Sequence, residues 1–239
     1  NPEDSARLRD KEHLDTVHEI PIGSNIQPAL PVDFERWLWR NRWELPQDAH
    51  VLCYFGFLNQ SKGGMDLIRA LDLLLEKDPN VHLLFIGGTT GASDPTNADY
   101  ATQVRRLVVE NRLSDHVHWT GHLSDEEVSA AFACSDICVL PFQDGVSIRR
   151  GSLMAALVHG MPIVSTEPLV PTTGIVHGEN IWLTAREQPQ EIAQAVQHIL
   201  KDQVLRQKLA EGARELAKQY DWDNITTRIL EVYGDAVLQ

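Results

Sequence analysis

Short apolar runs alternate with longer segments of helical spacing along most of this chain, and the first three runs stop at glycine. Val51 to Phe55 ends at Gly56, Val81 to Ile86 at Gly87-Gly88, and Val117 to Thr120 at Gly121. Ile137 to Leu140, Pro162 to Ser165 and Ile181 to Leu183 continue the series. A short apolar run bounded by turn residues reads as a strand buried on both faces. Between these runs, Met65 to Leu75 is apolar at positions 65, 67, 68, 71, 74 and 75, which is helical spacing. Ala98 to Asn111 and Leu153 to His159 also read as helices. Ser124 caps a short helix through Phe132, with Glu127 in the position that completes a capping box. Three helices follow, over about 189–200, 203–219 and 222–236. The alternation predicts an α/β fold, a Rossmann-like parallel sheet with helices on both faces.

The N-terminal stretch is different in kind. Asn1 to Asp15 is polar and reads as a helix, and Val17 to Ile20 as a short strand closed by Pro21-Ile22-Gly23. Phe34 to Trp43 carries three tryptophans and reads as a helix packed on the sheet. Thr89 to Asn97 is polar and predicts a mobile loop. There is no internal repeat and no low-complexity segment.

Composition excludes several classes. The net charge of −13 argues against broad nucleic-acid binding, although a local basic pocket remains compatible with it. No apolar run approaches the ~20 residues needed to span a bilayer. Asn1 to His13 is charged throughout, unlike a signal peptide. Cys53, Cys134 and Cys138 lie in or beside apolar runs. Such a sparse, odd set predicts reduced, buried thiols and a cytoplasmic location, and it offers no second pair for a zinc site.

The stretch Pro141 to Ser152 holds the chemistry. It lies where a predicted strand hands over to a predicted helix, and it contains Asp144, Arg149, Arg150, Gly145, Gly151, Ser147 and Ser152. In an open parallel sheet, ligands bind at the carboxyl ends of the strands. A helix start there offers unpaired N–H groups and a positive dipole end. Two arginines make it suited to a phosphate or diphosphate. The plainer alternative is a surface loop with two solvated arginines.

The order of landmarks resembles the C-terminal half of a GT-B glycosyltransferase of the family 4, or group 1, type. Those landmarks are Ile20 to Asn25, Gly56-Phe57-Leu58 with Ser61-Lys62-Gly63, Phe85 to Gly88, Val117 to Gly121 and Ser135-Asp136 with Leu140-Pro141. Asp144-Gly145 through Ser152, Gly160 to Val164 and Asp221-Trp222 complete them, so the resemblance covers roughly residues 17–236. It implies residues 1–25 as an interdomain linker region and 26–220 as a nucleotide-sugar-binding domain. Residues 221–239 would be a helix crossing back to an N-terminal domain. That other half, of roughly 150 residues or more, would bind the acceptor (a glycan, lipid or small molecule) and could carry membrane attachment. A donor half alone is expected to transfer little or nothing.

The resemblance also implies a retaining, metal-independent transfer with no cofactor beyond the nucleotide-sugar donor. Charge growing on the leaving diphosphate must then be met by fixed cations and N–H dipoles. Lys62 matches the family's diphosphate lysine, with Gly63 and Gly64 allowing close backbone approach and Gly56 among the expected donor-binding positions. Two positions depart from the pattern. Phe57 stands where many members have a diphosphate arginine, and Asp144 with Ser152 stands where the family has two glutamates. Asp144 can hold sugar hydroxyls from a shorter side chain, whereas Ser152 offers only a neutral bond to the ribose. Arg149 or Arg150 is expected to replace the arginine absent at position 57. By motif position, Ser147, Ile148 and Gly151 line the sugar and phosphate pocket, and Gly121, His122 and Leu123 face the base. Gly88 and its neighbour Gly87 either approach the donor or simply end a strand.

Other signals carry less. His116 and His118 share a strand face, as a metal pair or as packed imidazoles. Asp221-Trp222-Asp223 reads as a helix cap. The spacing at Gly87-Gly88 fails the dinucleotide fingerprint. Two further readings stay open: a nucleotide-sugar epimerase of related fold, and a non-catalytic nucleotide or sugar binding module.

Overall fold

The computed structural model of the chain describes residues 8–10, 17–88 and 95–237. Among these, β1 (His50–Phe55), β2 (Val81–Ile86), β3 (Val117–Trp119), β4 (Ile137–Leu140), β5 (Ile163–Thr166) and β6 (Trp182–Thr184) form one sheet. Every strand pair is parallel, in the order β3-β2-β1-β4-β5-β6. β2, β4 and β5 are buried along their whole length, which is why they read as continuous apolar runs.

The helices are α1 (Arg36–Arg42), α2 (Gly64–Leu75), α3 (Pro95–Glu110), α4 (Asp125–Cys134), α5 (Gly151–Val158), α6 (Pro189–Lys201), α7 (Gln203–Ala217) and α8 (Trp222–Val237). From β1 the chain steps outward through α2 to β2 and through α3 to β3, then returns through α4 to β4 and onward through α5 to β5. Right-handed crossovers in opposite directions put α2 and α3 on one face and α4 and α5 on the other. α6 then packs on α2, and α7 on α5. The direction reverses between β1 and β4, which pair through Leu52–Ile137 and Cys53–Cys138. That reversal is the place where open α/β sheets leave a crevice.

Local signals explain most boundaries. Ser124 and Glu127 form the expected capping box at α4. Asp221 Oδ1 accepts from the Asp223 N–H at 2.8 Å, so the acidic triplet is a helix cap. The three cysteines are free and buried. Among the described residues, no buried side-chain nitrogen or oxygen lacks a hydrogen-bond partner.

Some expectations are corrected. Val17 to Ile20 forms no strand; the Glu19 carbonyl accepts from Arg228 Nη2 at 3.1 Å. α1 packs mainly on α4 rather than on the sheet. α3 begins at Pro95, since proline suits a first helical turn, and α7 ends at Ala217 in a tighter turn over Lys218–Tyr220. Of the polar segment before Val17, only Leu8, Arg9 and Asp10 are described, and they are helical. Of the expected loop Thr89 to Asn97, residues 89–94 lie outside the described residues and 95–97 belong to the first turn of α3.

Candidate functional site

Two irregular turns meet at the carboxyl ends of β1 and β4. β1 runs into Gly56, whose φ of +110° only glycine adopts freely. The chain then passes Phe57 and enters a single tight helical turn, Gln60–Lys62, which ends at Gly63. Gly63 has φ +68°, and a β-carbon there would lie 1.9 Å from the Pro141 carbonyl oxygen. The Lys62 turn therefore presses directly onto the turn that follows β4.

This contact aims the lysine. A β-carbon built on Gly56 would lie 3.0 Å from Lys62 Nζ and 3.7 Å from Ser152 Cβ. The ammonium thus lies over the end of β1 and beside the first turn of α5. Burial, and secondarily the charge of Arg150, lowers the Lys62 pKa from 10.5 to about 8.

Arg150 is the residue before α5 and gives that helix no side-chain cap. Its guanidinium stacks on the buried Phe142 ring at 4.7 Å and donates to Ser61 Oγ at 3.4 Å. Its Nη2 also pairs with Asp144 Oδ1. Asp144, Ser147, Arg149 and Arg150 line a cleft of about 350 Å³, closed on the other side by Leu169, Val170 and Thr172. The cleft carries two guanidiniums, and the Lys62 ammonium lies outside its lining, over the end of β1; cations grouped beside the start of α5 fit an anion with several oxygens.

The remaining expected residues are distributed around this centre. Gly151 is exposed at the start of α5, and Ser152 is buried under Lys62. Ile148 packs against the core and lines a neighbouring cleft with Glu19, Pro21 and Thr172. Phe57 is 48% exposed, and its carbonyl accepts from the buried Tyr54 hydroxyl at 3.1 Å. Gly88 lies past β2, beside the bridge that joins Gly87 to Gly121. His122 is exposed past β3, whereas the Leu123 side chain belongs to the core.

Ser61 and the segment Leu169 to Thr172, through Leu169, Val170 and Thr172, were not expected in the cleft. Ser61 adjoins a recognisable lysine. The segment carries only a position past a strand end and one proline as its signal.

The histidines lie elsewhere. His82 Nδ1 meets His118 Nε2 at 3.0 Å, and His116 Nδ1 donates to the Val81 carbonyl at 3.1 Å. Burial lowers the pKa of His82 to about 4 and also lowers that of His118. These are packed imidazoles. Among the described residues no group of three or more His, Cys, Asp or Glu is arranged to hold a metal ion.

A single doubly wound sheet with a basic crevice at its reversal point defines a nucleotide-binding class of fold. The family model for glycosyl transferases group 1 matches residues 35–216, and the chain belongs to that family. It is 27% identical over 228 residues to a D-inositol 3-phosphate glycosyltransferase of Corynebacterium diphtheriae, covering 94% of this chain and 52% of that protein. It spans about half the length of the curated relatives it matches. The C-terminal domain of a glycosyl transferase group 1 family protein from Francisella tularensis superposes with TM-score 0.65 at 21% identity, covering 80% of this chain and 95% of that one. An Anabaena protein solved with UDP and glucose superposes with TM-score 0.76 at 21% identity, covering 90% of this chain and 56% of that one. The fold is that of a GT-B C-terminal half, as the order of landmarks predicted.

Proposed function

We propose that this chain is the donor-binding half of a glycosyltransferase that moves a sugar from a nucleotide-diphosphate sugar to an acceptor. The observation that carries this reading is the convergence of Lys62 and Arg150 at the first turn of α5. Breaking the donor's bond to its diphosphate builds negative charge on the leaving oxygen. Two fixed cations and the α5 N–H groups can stabilise that charge without reorganising. Arg150 takes the place of the arginine absent at Phe57, and Arg149 stands further along the same cleft. Asp144 accepts from sugar hydroxyls once the diphosphate has taken over Arg150. Retention of configuration and independence of a metal follow from the family resemblance.

Residues 17–25 act as the link to an acceptor-binding half, and α8 returns toward it. Support comes from Trp222 Nε1, which donates to the Ser24 carbonyl at 2.7 Å, and from Arg228, which holds Glu19. Leu230 and Tyr233 on α8 are 65% and 67% exposed. Without an acceptor half, the chain transfers no detectable sugar.

Calorimetric titration with UDP, GDP, ADP and their sugar conjugates, with and without EDTA, tests the reading. One nucleotide should bind, unaffected by EDTA, and Lys62→Ala should weaken it by about tenfold or more. The absence of binding to all of them, or binding untouched by Lys62→Ala, would remove its basis. UDP is the first to try, because the Anabaena neighbour was solved with it.

A further inference from the structure

Lys62 and Arg150 belong to different turns, and their like charges repel. Nothing in regular secondary structure fixes the distance between them: Lys62 lies between β1 and α2, and Arg150 between β4 and α5. Yet a diphosphate spans a set distance, so two mobile cations would each have to be ordered by the ligand.

The turns are joined by a seam. Backbone pairs with backbone where the Gln143 N–H donates to the Ser61 carbonyl at 2.8 Å. The Gln143 side chain then reaches past the turn, and its Nε2 donates to Asp66 Oδ2. Asp66 sits in the first turn of α2, and its side chain is only 7% exposed. Its other oxygen accepts from Arg69 Nη1 at 3.0 Å, so the carboxylate is oriented from both sides. On the far flank, the turn after β4 is tied to β5 by Thr166 Oγ1, which donates to the Phe142 carbonyl at 2.6 Å. Besides the Arg150–Ser61 bond, the Asp66–Gln143 bond is thus a side-chain link between the start of α2, three residues beyond Gly63, and the residue preceding Asp144.

We propose that Asp66 and Gln143 are positioning residues whose half-buried hydrogen bond clamps the Lys62 turn to the Asp144–Arg150 turn, presetting both cations for one diphosphate. This rests on the donor-site reading above. Neither residue touches the ligand. They act through Ser61 and Asp144, which flank the two cations in their turns.

The test exploits the direction of the bond. Gln143→Glu sets two carboxylates against each other across the seam. Adding Asp66→Asn restores a bond of reversed direction, with the new amide donating to the new carboxylate. Calorimetry with UDP, GDP and ADP on the full chain gives affinities, and thermal melts confirm folding at the titration temperature. Gln143→Glu should weaken the nucleotide that the wild type binds by about tenfold, and the double variant should recover most of that loss. If Gln143→Glu does not fold, Gln143→Met, which removes the bond without adding charge, is read in the same way. A purely structural role would lower the melting temperature and leave the affinity of the folded protein unchanged, which overturns the proposal. So does a double variant as weak as the single one. Failure of the wild type to bind any of the three overturns the donor-site reading as well. Binding that is lost in Lys62→Ala but kept in Gln143→Glu overturns this inference alone.

Discussion

Lys62 is held at a cost that its ligand would relieve. Burial and Arg150 lower its pKa from 10.5 to about 8. A lysine whose folded pKa lies below its unfolded one destabilises the fold while it is charged. That penalty is full below about pH 8 and fades as pH climbs toward 10.5. Lys62→Met should therefore raise the melting temperature at pH 7 while removing nucleotide affinity, the usual exchange of stability for function. A bound diphosphate restores the charged form, so binding between about pH 8 and 10 should take up a proton, and affinity should fall as pH rises through about 8. Calorimetry at pH 8.5 in two buffers of different ionisation enthalpy reads this directly; equal enthalpies in both would contradict it. The place of Lys62 past the end of β1 was legible, because a glycine pair follows it just after a predicted strand. The altered acidity of Lys62 was not, because it comes first from burial under the folded turns and second from Arg150, which is distant in sequence.

At the scale of elements, α1 shows how a tertiary contact overrides a local pattern. A helix with three tryptophans in and beside it predicts aromatic packing and outward arginines. The structure buries Trp43 but leaves Trp37 half exposed, and Arg40 is only 3% exposed. Arg40 donates to the Cys134 carbonyl at 3.0 Å and to the Pro46, Gln47 and Ala49 carbonyls at 3.2, 2.9 and 3.0 Å. It also pairs with Asp136 at 3.4 Å, whose Oδ2 accepts from the Val51 N–H at 2.8 Å. One guanidinium thus closes the carboxyl end of α4 and the approach to β1. Arg40→Met should cost about 3–5 kcal/mol in urea unfolding, because four carbonyls would lose a buried charged donor and Asp136 would keep only Arg36 and the Val51 N–H. A loss below 1 kcal/mol, or about the value of a single exposed pair, would show that water replaces it. The six sheet strands and the long helices were readable from bounded apolar runs and helical period, although the same reading put a strand at Val17 to Ile20 that does not form. Arg40 was not, since its main acceptor lies 94 positions away. The Asp66–Gln143 bond, 77 positions apart, was hidden for the same reason.

For the whole molecule, the sheet order places the crevice between two stretches of chain that are made separately. β1, β2 and β3 with α2 and α3 form one wing, and β4, β5 and β6 with α5 form the other. The wings meet at β1 and β4, where Val51 and Asp136 bond across 85 positions. Lys62 comes from the first wing, and Asp144 and Arg150 from the second. A nucleotide that needs both should therefore stabilise the chain as one cooperative unit. At a concentration of about 100 Kd it should raise the midpoint of a single thermal transition by about 5–10 °C. A second transition that the ligand leaves unmoved would mean that one wing holds it alone. The pairing of β1 with β4 closes a long loop, and such contacts are entropically expensive and slow to form. Occupancy by a nucleotide that needs both wings would then serve as a gauge of maturity: only a molecule whose wings have already joined can hold it.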